Sequence, residues 1–99
     1  MKKLIILLVA LVSLTTAYCQ TANEYVNMGY SKHKLKDYRG AIADYTKAIE
    51  IDPNKSSAYY GRGLSKLVLG QKDSGCLDLS KAGELGYGQA YEVIKEHCN

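Results

Sequence analysis

The chain has 99 residues and a formal net charge of +3, so it is long enough for one small domain at most. Removing Lys2 and Lys3, which stand in a predicted signal segment, leaves eleven basic against ten acidic side chains. A net charge of +1 provides little electrostatic attraction for nucleic acid or anionic lipid, so no nucleic-acid partner is predicted.

Residues 1–19 have the three parts of a secretory signal peptide. Lys2 and Lys3 form a positive start, residues 4–12 are apolar, and small residues follow up to Ala17. This order predicts export, with cleavage after Cys19 or close to it. The segment resembles the signals of exported bacterial proteins, which implies a periplasmic or secreted protein. No membrane insertion is expected after cleavage.

Two alternatives for this segment stay open. It could be a retained membrane anchor, although residues 4–12 fall short of the roughly 20 apolar residues of a spanning helix. It could also be the signal of an outer-membrane lipoprotein, with Cys19 as the acylated residue. Lipoprotein signals have a small residue directly before that cysteine, and here Tyr18 occupies the place.

The rest of the chain repeats with a period of 34 residues. Residues 22–55 set against residues 56–89 give nine identical pairs, where about two are expected by chance. A repeat of this length indicates stacked copies of one supersecondary unit. The pairs are Tyr25 and Tyr59, Gly29 and Gly63, Ser31 and Ser65, Lys32 and Lys66, Leu35 and Leu69, Asp44 and Asp78, Lys47 and Lys81, Ala48 and Ala82, and Glu50 and Glu84.

Each copy has the pattern of two helices joined by a turn. In the first copy, Asp37 separates the helices, and Pro53 ends the second one because the residue before a proline disfavours the α conformation. Gly29 and Gly63 stand inside helices, where glycine is costly, and this predicts close helix approach. The inner faces at helical spacing are Ala22, Tyr25, Met28 and Gly29; Tyr38, Ala41, Ile42, Tyr45, Ala48 and Ile49; Tyr59, Gly63, Lys66 and Leu67; and Cys76, Leu79, Ala82 and Gly83.

The first copy resembles the tetratricopeptide repeat, a helix–turn–helix unit of this length. The second copy is more distant, since Gly75, Leu79 and Tyr87 replace the alanine, aromatic and proline of that family. The resemblance implies an all-α fold, a short α-solenoid of two helix–turn–helix hairpins at 22–55 and 56–89 plus a C-terminal capping helix at 87–98. The residues that carry it are Tyr25, Met28, Gly29, Leu35, Tyr38, Ala41, Tyr45, Ala48 and Pro53.

The predicted capping helix places Tyr87, Tyr91, Ile94 and Cys98 on one face, which would cover the apolar side of the last hairpin. Cys76 and Cys98 are the two cysteines outside the signal segment, an even number in an exported chain. We predict a disulfide between them, contributing roughly 3 kcal/mol. Two buried free thiols are the alternative.

No catalytic residue, metal ligand or cofactor site is predicted, and the chain is not expected to be an enzyme. His33 and His97 are far apart, and no H-x-x-x-H or H-E-x-x-H spacing occurs. The glycines at 61–63 and 83–88 do not follow a predicted strand, so they indicate helix packing and turns rather than a phosphate loop. A thiol oxidoreductase would need a reactive thiol, and no Cys-x-x-Cys is present.

The family resemblance implies a concave face lined by the first helix of each hairpin. Tyrosine is a common interface anchor because its ring is large and stiff, but these residues could also only fill gaps between layers. Some family members bind a peptide carboxylate with Lys and Asn, and Val26 and Tyr30 replace those residues here. The predicted groove residues are Asn23, Val26, Asn27, Tyr30, Tyr60 and Leu64.

The predicted function is a non-catalytic protein–protein interaction module, a scaffold or adaptor in the periplasm or cell envelope. Its partner would be another protein or peptide. The alternative is a self-associating structural envelope protein, whose first hairpin stacks on a neighbouring copy.

Overall fold

The computed structural model describes residues 21–99. Regular structure in this range is helical throughout, which confirms the predicted all-α fold. The signal peptide predicted at residues 1–19 lies outside the described residues and stays a prediction. The helices are α1 (residues 21–34), α2 (Tyr38–Ile51), α3 (Ser56–Val68), α4 (Lys72–Glu84) and α5 (Gln89–His97).

The helices form a short solenoid. Helices α1 and α2 make the first hairpin, α3 and α4 make the second, and α5 packs against α4. Within residues 21–99, no helix combines the length and the apolar character needed to cross a membrane.

Local chemistry sets both ends of α2. The Asp37 side chain accepts a hydrogen bond from the backbone N–H of Gly40 at 3.0 Å, and this caps the start of the helix. At the other end, Asp52 takes an extended conformation directly before Pro53, as expected for a residue that precedes proline.

Helices α1 and α3 end in the same way with different residues. Each is followed by one residue in the left-handed conformation, Lys36 with φ 65° and Gly70 with φ 81°. In both turns the next N–H bonds back to a carbonyl five residues earlier, from Asp37 to Lys32 and from Gln71 to Lys66. This arrangement satisfies carbonyls that a helix end otherwise leaves unpaired.

The core of the first hairpin is built around Tyr45. A Cβ atom at Gly29 would lie 3.0 Å from the Tyr45 ring, and one at Gly61 would overlap with its Cζ. The ring therefore fits between α1 and α3 because both positions lack a side chain. Ala41, Ala48 and Ala58 complete this buried cluster.

Met28 departs from its predicted place on the inner face of α1, since it is 45% exposed. The equivalent residue of the second hairpin is Arg62, which reaches back to Thr46 on the preceding helix. Met28 occupies the corresponding side of α1, where the described residues provide no preceding helix. The prediction was wrong because it placed a flanking position on the inner face.

In the second hairpin, α3 and α4 approach until their backbones touch. A Cβ atom at Gly63 would lie 2.9 Å from the Gly75 carbonyl oxygen, and one at Gly75 would lie 2.9 Å from the Gly63 carbonyl oxygen. Leu79 is fully buried beside this crossing. The cost of a mid-helix glycine is offset here by close packing.

Ion pairs connect the two helices of each hairpin. Lys32 Nζ lies 2.9 Å from Asp44 Oδ2. In the second hairpin, Arg62 donates to both oxygens of Asp78 at 2.8 Å, and Lys66 Nζ lies 2.9 Å from Oδ2. Lys32 and Lys66 are an identical pair of the 34-residue repeat, and so are Asp44 and Asp78. This part of the repeat therefore corresponds to an ion pair that both hairpins make between their helices.

Three of the four residues predicted for the inner face of the cap, Tyr87, Ile94 and Cys98, pack against the second core cluster. Ala90 is fully buried, and Val93 and Ile94 pack against the second core cluster. Tyr91 is 55% exposed, and Tyr87 stands before the helix, which begins at Gln89. The prediction missed Ala90 and Val93 and overstated the burial of Tyr91, because it carried the helical spacing through Gly88, across the turn.

The structure joins Cys76 of α4 to Cys98, directly after α5, in a disulfide with a Cα–Cα distance of 5.9 Å. The bond ties the capping helix to the second hairpin. Its formation in the exported protein stays a prediction, which is tested below.

Candidate partner-binding groove

A cavity of about 280 Å³ lies where α1, α3 and the segment before α5 meet. We call it the tyrosine cavity, because four tyrosines contribute to its wall. Its lining residues are Val26, Asn27, Tyr30, His33, Tyr45, Ser57, Tyr60, Gly61, Leu64 and Tyr87.

Helical spacing explains how the sequence builds this wall. Along α3, Ser57, Tyr60 and Leu64 follow one another at three and four residues, so they share one face. The lining residues of α1 repeat this spacing from Val26 to Tyr30 and His33. The first helix of each hairpin thus presents one face to a common cavity.

Five of the six residues predicted for the groove line the tyrosine cavity: Val26, Asn27, Tyr30, Tyr60 and Leu64. Asn23 is exposed and does not line it. The geometry brings the five together, and their role in binding stays a prediction.

Two further tyrosines of the wall were missed by sequence reasoning. Tyr45 belongs to α2, and its ring reaches the cavity between Gly29 and Gly61. Tyr87 comes from the turn before α5 and stacks on Tyr60, with ring centroids 4.5 Å apart and planes tilted by 31°. Gly61 was the available signal for Tyr45, since a glycine there leaves room for a ring.

Burial perturbs the phenols of this wall. Desolvation raises the pKa of Tyr45 to about 12, with smaller contributions from Tyr30 and Tyr87. Desolvation also raises the pKa of Tyr60, and Tyr87 adds to that shift. A tyrosine hydroxyl of ordinary pKa is already neutral at physiological pH, and the raised pKa of Tyr45 and Tyr60 keeps both hydroxyls neutral to a higher pH.

A second cavity of about 340 Å³ adjoins the first. We call it the histidine cavity. It shares His33 and Leu64 with the tyrosine cavity, and Val93 and His97 of α5 supply its far wall. Leu67 and Val68 of α3 complete the lining.

His33 stands between the two cavities and is held from two sides. Its Nδ1 lies 2.9 Å from the hydroxyl oxygen of the fully buried Ser65. Its ring meets the ring of Tyr38 edge-on, with centroids 5.1 Å apart. These contacts with α3 and α2 give the partition between the cavities a defined position.

The two cavities share His33 and Leu64 and form one trough. None of the residues lining either cavity is Asp, Glu, Lys or Arg. The Nζ of Lys34 lies 5.4 Å from the centroid of the Tyr30 ring. Residues 21–99 contain no group of three or more His, Cys, Asp or Glu side chains that could hold a metal ion. The trough is suited to uncharged apolar and aromatic groups with a few polar atoms.

Another cavity surrounds the disulfide, on a different surface. It is lined by Cys76, Leu77 and Ser80 of α4 and by Ile94 and Cys98 at the cap, with Lys72 and Asp73 at its edge. Leu77 is 72% exposed there. This surface shares no lining residue with the trough.

Comparison with known proteins places a repeat unit on the first hairpin. The family model of the tetratricopeptide repeat matches residues 22–55. The chain is 36% identical over 66 residues to a protein STIP1 homolog of Dictyostelium discoideum. It is 35% identical over 66 residues to a tetratricopeptide repeat protein 36 homolog of Nematostella vectensis.

A third relative is the small glutamine-rich tetratricopeptide repeat-containing protein 2 of Mycosarcoma maydis, 34% identical over 68 residues. Each of the three matches covers 67% of this chain. The matched part spans 12%, 36% and 19% of the respective relatives. The similarity therefore concerns the repeat region and not the whole of those proteins.

Proposed function

We propose that this chain, which belongs to the tetratricopeptide-repeat family, is a non-catalytic module that binds a segment of another protein in its groove. The observation that carries the proposal is the trough, where tyrosines from α1, α2, α3 and the turn before α5 converge. Tyrosines in such positions provide large contact areas at low entropic cost.

The repeat region of the relatives supports a binding role. Similar segments occur in proteins of very different length, of which they form between 12% and 36%. A unit of this kind is a portable module, and the trough is the surface of this chain best suited to a partner.

The test is capture of the partner in the native cells with groove variants. The full chain, tagged at its C-terminus, is cross-linked at short range as wild type, as Tyr30→Ala with Tyr60→Ala, and as Tyr91→Ala. Tyr91 is the matched control, because it is 55% exposed where Tyr30 is 58% exposed, and it lies outside the trough.

We expect one partner to be lost with the double groove variant and retained with Tyr91→Ala. Circular dichroism of each variant verifies that the helices are intact. Equal retention by both variants, or equal loss from both, would contradict the groove as the binding site.

Export to the periplasm or cell envelope is part of the proposal. The signal-like residues 1–19 support it, and a disulfide is typical of oxidising compartments. Intact mass of protein recovered from cells tests it. We expect an N-terminus at or near Gln20, whereas an uncleaved chain or a lipid mass on Cys19 would contradict it.

Self-association remains a second candidate, favoured by the exposure of Met28. Arg62 at the equivalent position bridges two helices, while Met28 is 45% exposed. A mass that rises with concentration in sedimentation equilibrium, and that Met28→Lys returns to the monomer value, would support this function. A concentration-independent monomer would support the binding module.

A further inference from the structure

The capping helix α5 supplies one side of the trough. Val93 and His97 of this helix line the histidine cavity, and Tyr87 of the turn before it lines the tyrosine cavity. Tyr87 also stacks on Tyr60 of α3, with ring centroids 4.5 Å apart. Both cavities therefore keep their shape only while α5 stays docked on the second hairpin.

Apart from the disulfide, few contacts hold α5 in place. The helix has nine residues, and a helix of that length is only marginally stable in water without tertiary contacts. Ala90 is its one fully buried residue, and Val93 and Ile94 are partly buried. Within residues 21–99 the polar side-chain contacts of this segment stay inside residues 95–99. The disulfide to α4 is therefore the one specific cross-link that we observe between the cap and the hairpin.

The disulfide is open to a reductant from a different surface of the molecule. Both cysteines line the cavity of about 470 Å³ that also contains the exposed Leu77. Cys76 is buried in α4, whereas Cys98 is partly exposed directly after α5. Because this cavity shares no lining residue with the trough, an attacking thiol reaches the bond without entering the groove.

We infer that the bond between Cys76 and Cys98 is a thiol–disulfide exchange site, and that its reduction by a dithiol releases α5 and opens the trough. The attacking thiolate forms a bond to Sγ of Cys98, and the Cys76 thiolate leaves with the electron pair of the broken bond. The second thiol of the reductant then displaces Cys98. The reductant ends as a disulfide, and its two protons end on the two protein cysteines.

This inference rests on the proposed function, because it makes the oxidised chain the form that binds a partner. Reduction removes the side of the trough that Val93, His97 and Tyr87 provide. The two hairpins keep their own contacts, among them the bonds from Arg62 to Asp78. The expected product is thus a folded pair of hairpins with an incomplete groove.

The experiment compares the isotopically labelled chain after signal removal in its oxidised form, after reduction with dithiothreitol, and as Cys76→Ser with Cys98→Ser. Intact mass after alkylation counts the free thiols of each sample. Heteronuclear NOEs of the backbone amides report order along the chain, and side-chain NOEs report whether the rings of Tyr60 and Tyr87 remain in contact.

We expect reduction to leave α1 to α4 ordered, while the amides of α5 lose the heteronuclear NOE values of a folded helix. The contact between Tyr60 and Tyr87 should also be lost, because Tyr87 stands directly before the released helix. The double serine variant should show the same losses without reductant, and dithiothreitol should not change it further.

The difference in exposure predicts which sulfur is attacked. Glutathione is a monothiol whose mixed disulfide with the protein can be trapped by acid. Peptide mapping of the trapped product should find the adduct on Cys98, the more exposed of the two cysteines. An adduct on Cys76 would overturn the exchange step as written.

The consequence for binding is tested by repeating the partner capture with the double serine variant. We expect about tenfold less partner than with wild type, since losing the burial of one apolar contact such as Val93 costs about that much affinity. Leu77→Ala is the matched control, because it changes the exposed surface beside the disulfide and leaves the bond intact. It should retain the partner.

An α5 that stays ordered after reduction would overturn the inference. Loss of order throughout residues 21–99 would overturn it as well, because the bond would then hold the whole fold and not the cap. So would full capture by the double serine variant, and the proposed function would still stand if capture requires Tyr30 and Tyr60. Capture that needs neither the disulfide nor these tyrosines would overturn both.

Discussion

Positions 44 and 78 are equivalent in the two hairpins, and each carries an aspartate that is almost fully buried, at 7% and 6% exposure. The Asp78 carboxylate accepts hydrogen bonds from Nε and Nη2 of Arg62 and also pairs with Nζ of Lys66. Asp44 has Lys32, whose side chain is 39% exposed, and its Oδ2 has no further partner within residues 21–99. Two cations therefore hold the aspartate of the second hairpin, whereas a single lysine holds the aspartate of the first.

The core position beside this carboxylate differs as well. Tyr45 in the first hairpin reaches the trough between two glycines, whereas Leu79 in the second hairpin is buried beside a direct contact of two backbones. The second hairpin also carries the disulfide to the cap. The comparison teaches that the first hairpin contributes its core residue to the candidate site, while the second contributes most of the specific cross-links.

Removing the disulfide should have the largest effect on this asymmetry. Replacing Cys76 and Cys98 together by serine is expected to lower the free energy of unfolding by about 3 kcal/mol. The bond closes a loop between cysteines that are 22 residues apart in the sequence, and this restricts the unfolded chain. Denaturant unfolding measures it, and reduced wild type should match the variant. Unchanged stability, or alkylation of both cysteines without reductant, would show that the disulfide does not contribute to the difference between the two hairpins.

Replacing each of the two aspartates by asparagine should show how much more the ion pairs of the second hairpin stabilise the fold than the ion pair of the first. Asp78→Asn is expected to cost about 2 kcal/mol, because it weakens several charge-assisted hydrogen bonds. Asp44→Asn should cost less, about 0.5 kcal/mol, because Asp44 has a single cationic partner, Lys32, whose side chain is 39% exposed. Denaturant midpoints at constant m-value measure both changes. Similar losses of stability from the two variants would show that the bonds from Arg62 add nothing to the lysine–aspartate pair that both hairpins share.

Alkaline pH should destabilise the first hairpin through Tyr45. Because the pKa of Tyr45 is raised from 10.0 to about 12, its contribution is complete below pH 10 and is lost as the pH rises through about 12. In this window wild type should lose about 1.4 kcal/mol per pH unit relative to Tyr45→Phe. Unfolding at pH 9, 10 and 11 tests this, with exposed Tyr91→Phe as control. If the difference in unfolding free energy between wild type and Tyr45→Phe stays constant over this pH range, the raised pKa of Tyr45 is contradicted.

The smallest effect is expected where the chain leaves α1 and α3. Lys36 takes the left-handed conformation that Gly70 takes without a Cβ penalty, so Lys36→Gly should stabilise by about 1 kcal/mol. Gly70→Lys should destabilise by a similar amount. Thermal unfolding of this reciprocal pair measures both signs. If the two substitutions act in the same direction, the turns are not equivalent.

Much of this architecture was predictable from the sequence, because it depends on residues close together in the chain. The 34-residue period located the hairpins, and Asp37 and Pro53 marked the ends of α2. The identical pairs included both members of the Lys32–Asp44 and Lys66–Asp78 contacts. Met28 and Tyr91 were misplaced, since helical spacing defines a face but not how far that face turns toward its neighbour.

The candidate groove was predictable in part for the same reason. Val26, Tyr30, Tyr60 and Leu64 stand on the first helices, and their places follow from the repeat. Tyr45 and Tyr87 did not follow from it, because they enter the cavity from a second helix and from a turn. Their contribution depends on the glycines that admit the Tyr45 ring and on the stacking of Tyr87 on Tyr60.

The sequence by itself determined the number, order and approximate ends of the helices within residues 21–99, since spacing, caps and turn residues act over a few positions. Only the tertiary structure decided that the trough has two adjoining cavities with His33 between them. It also decided which face of α5 covers the core. These features depend on how far each helix is rotated and how closely it packs, and many distant side chains settle that jointly.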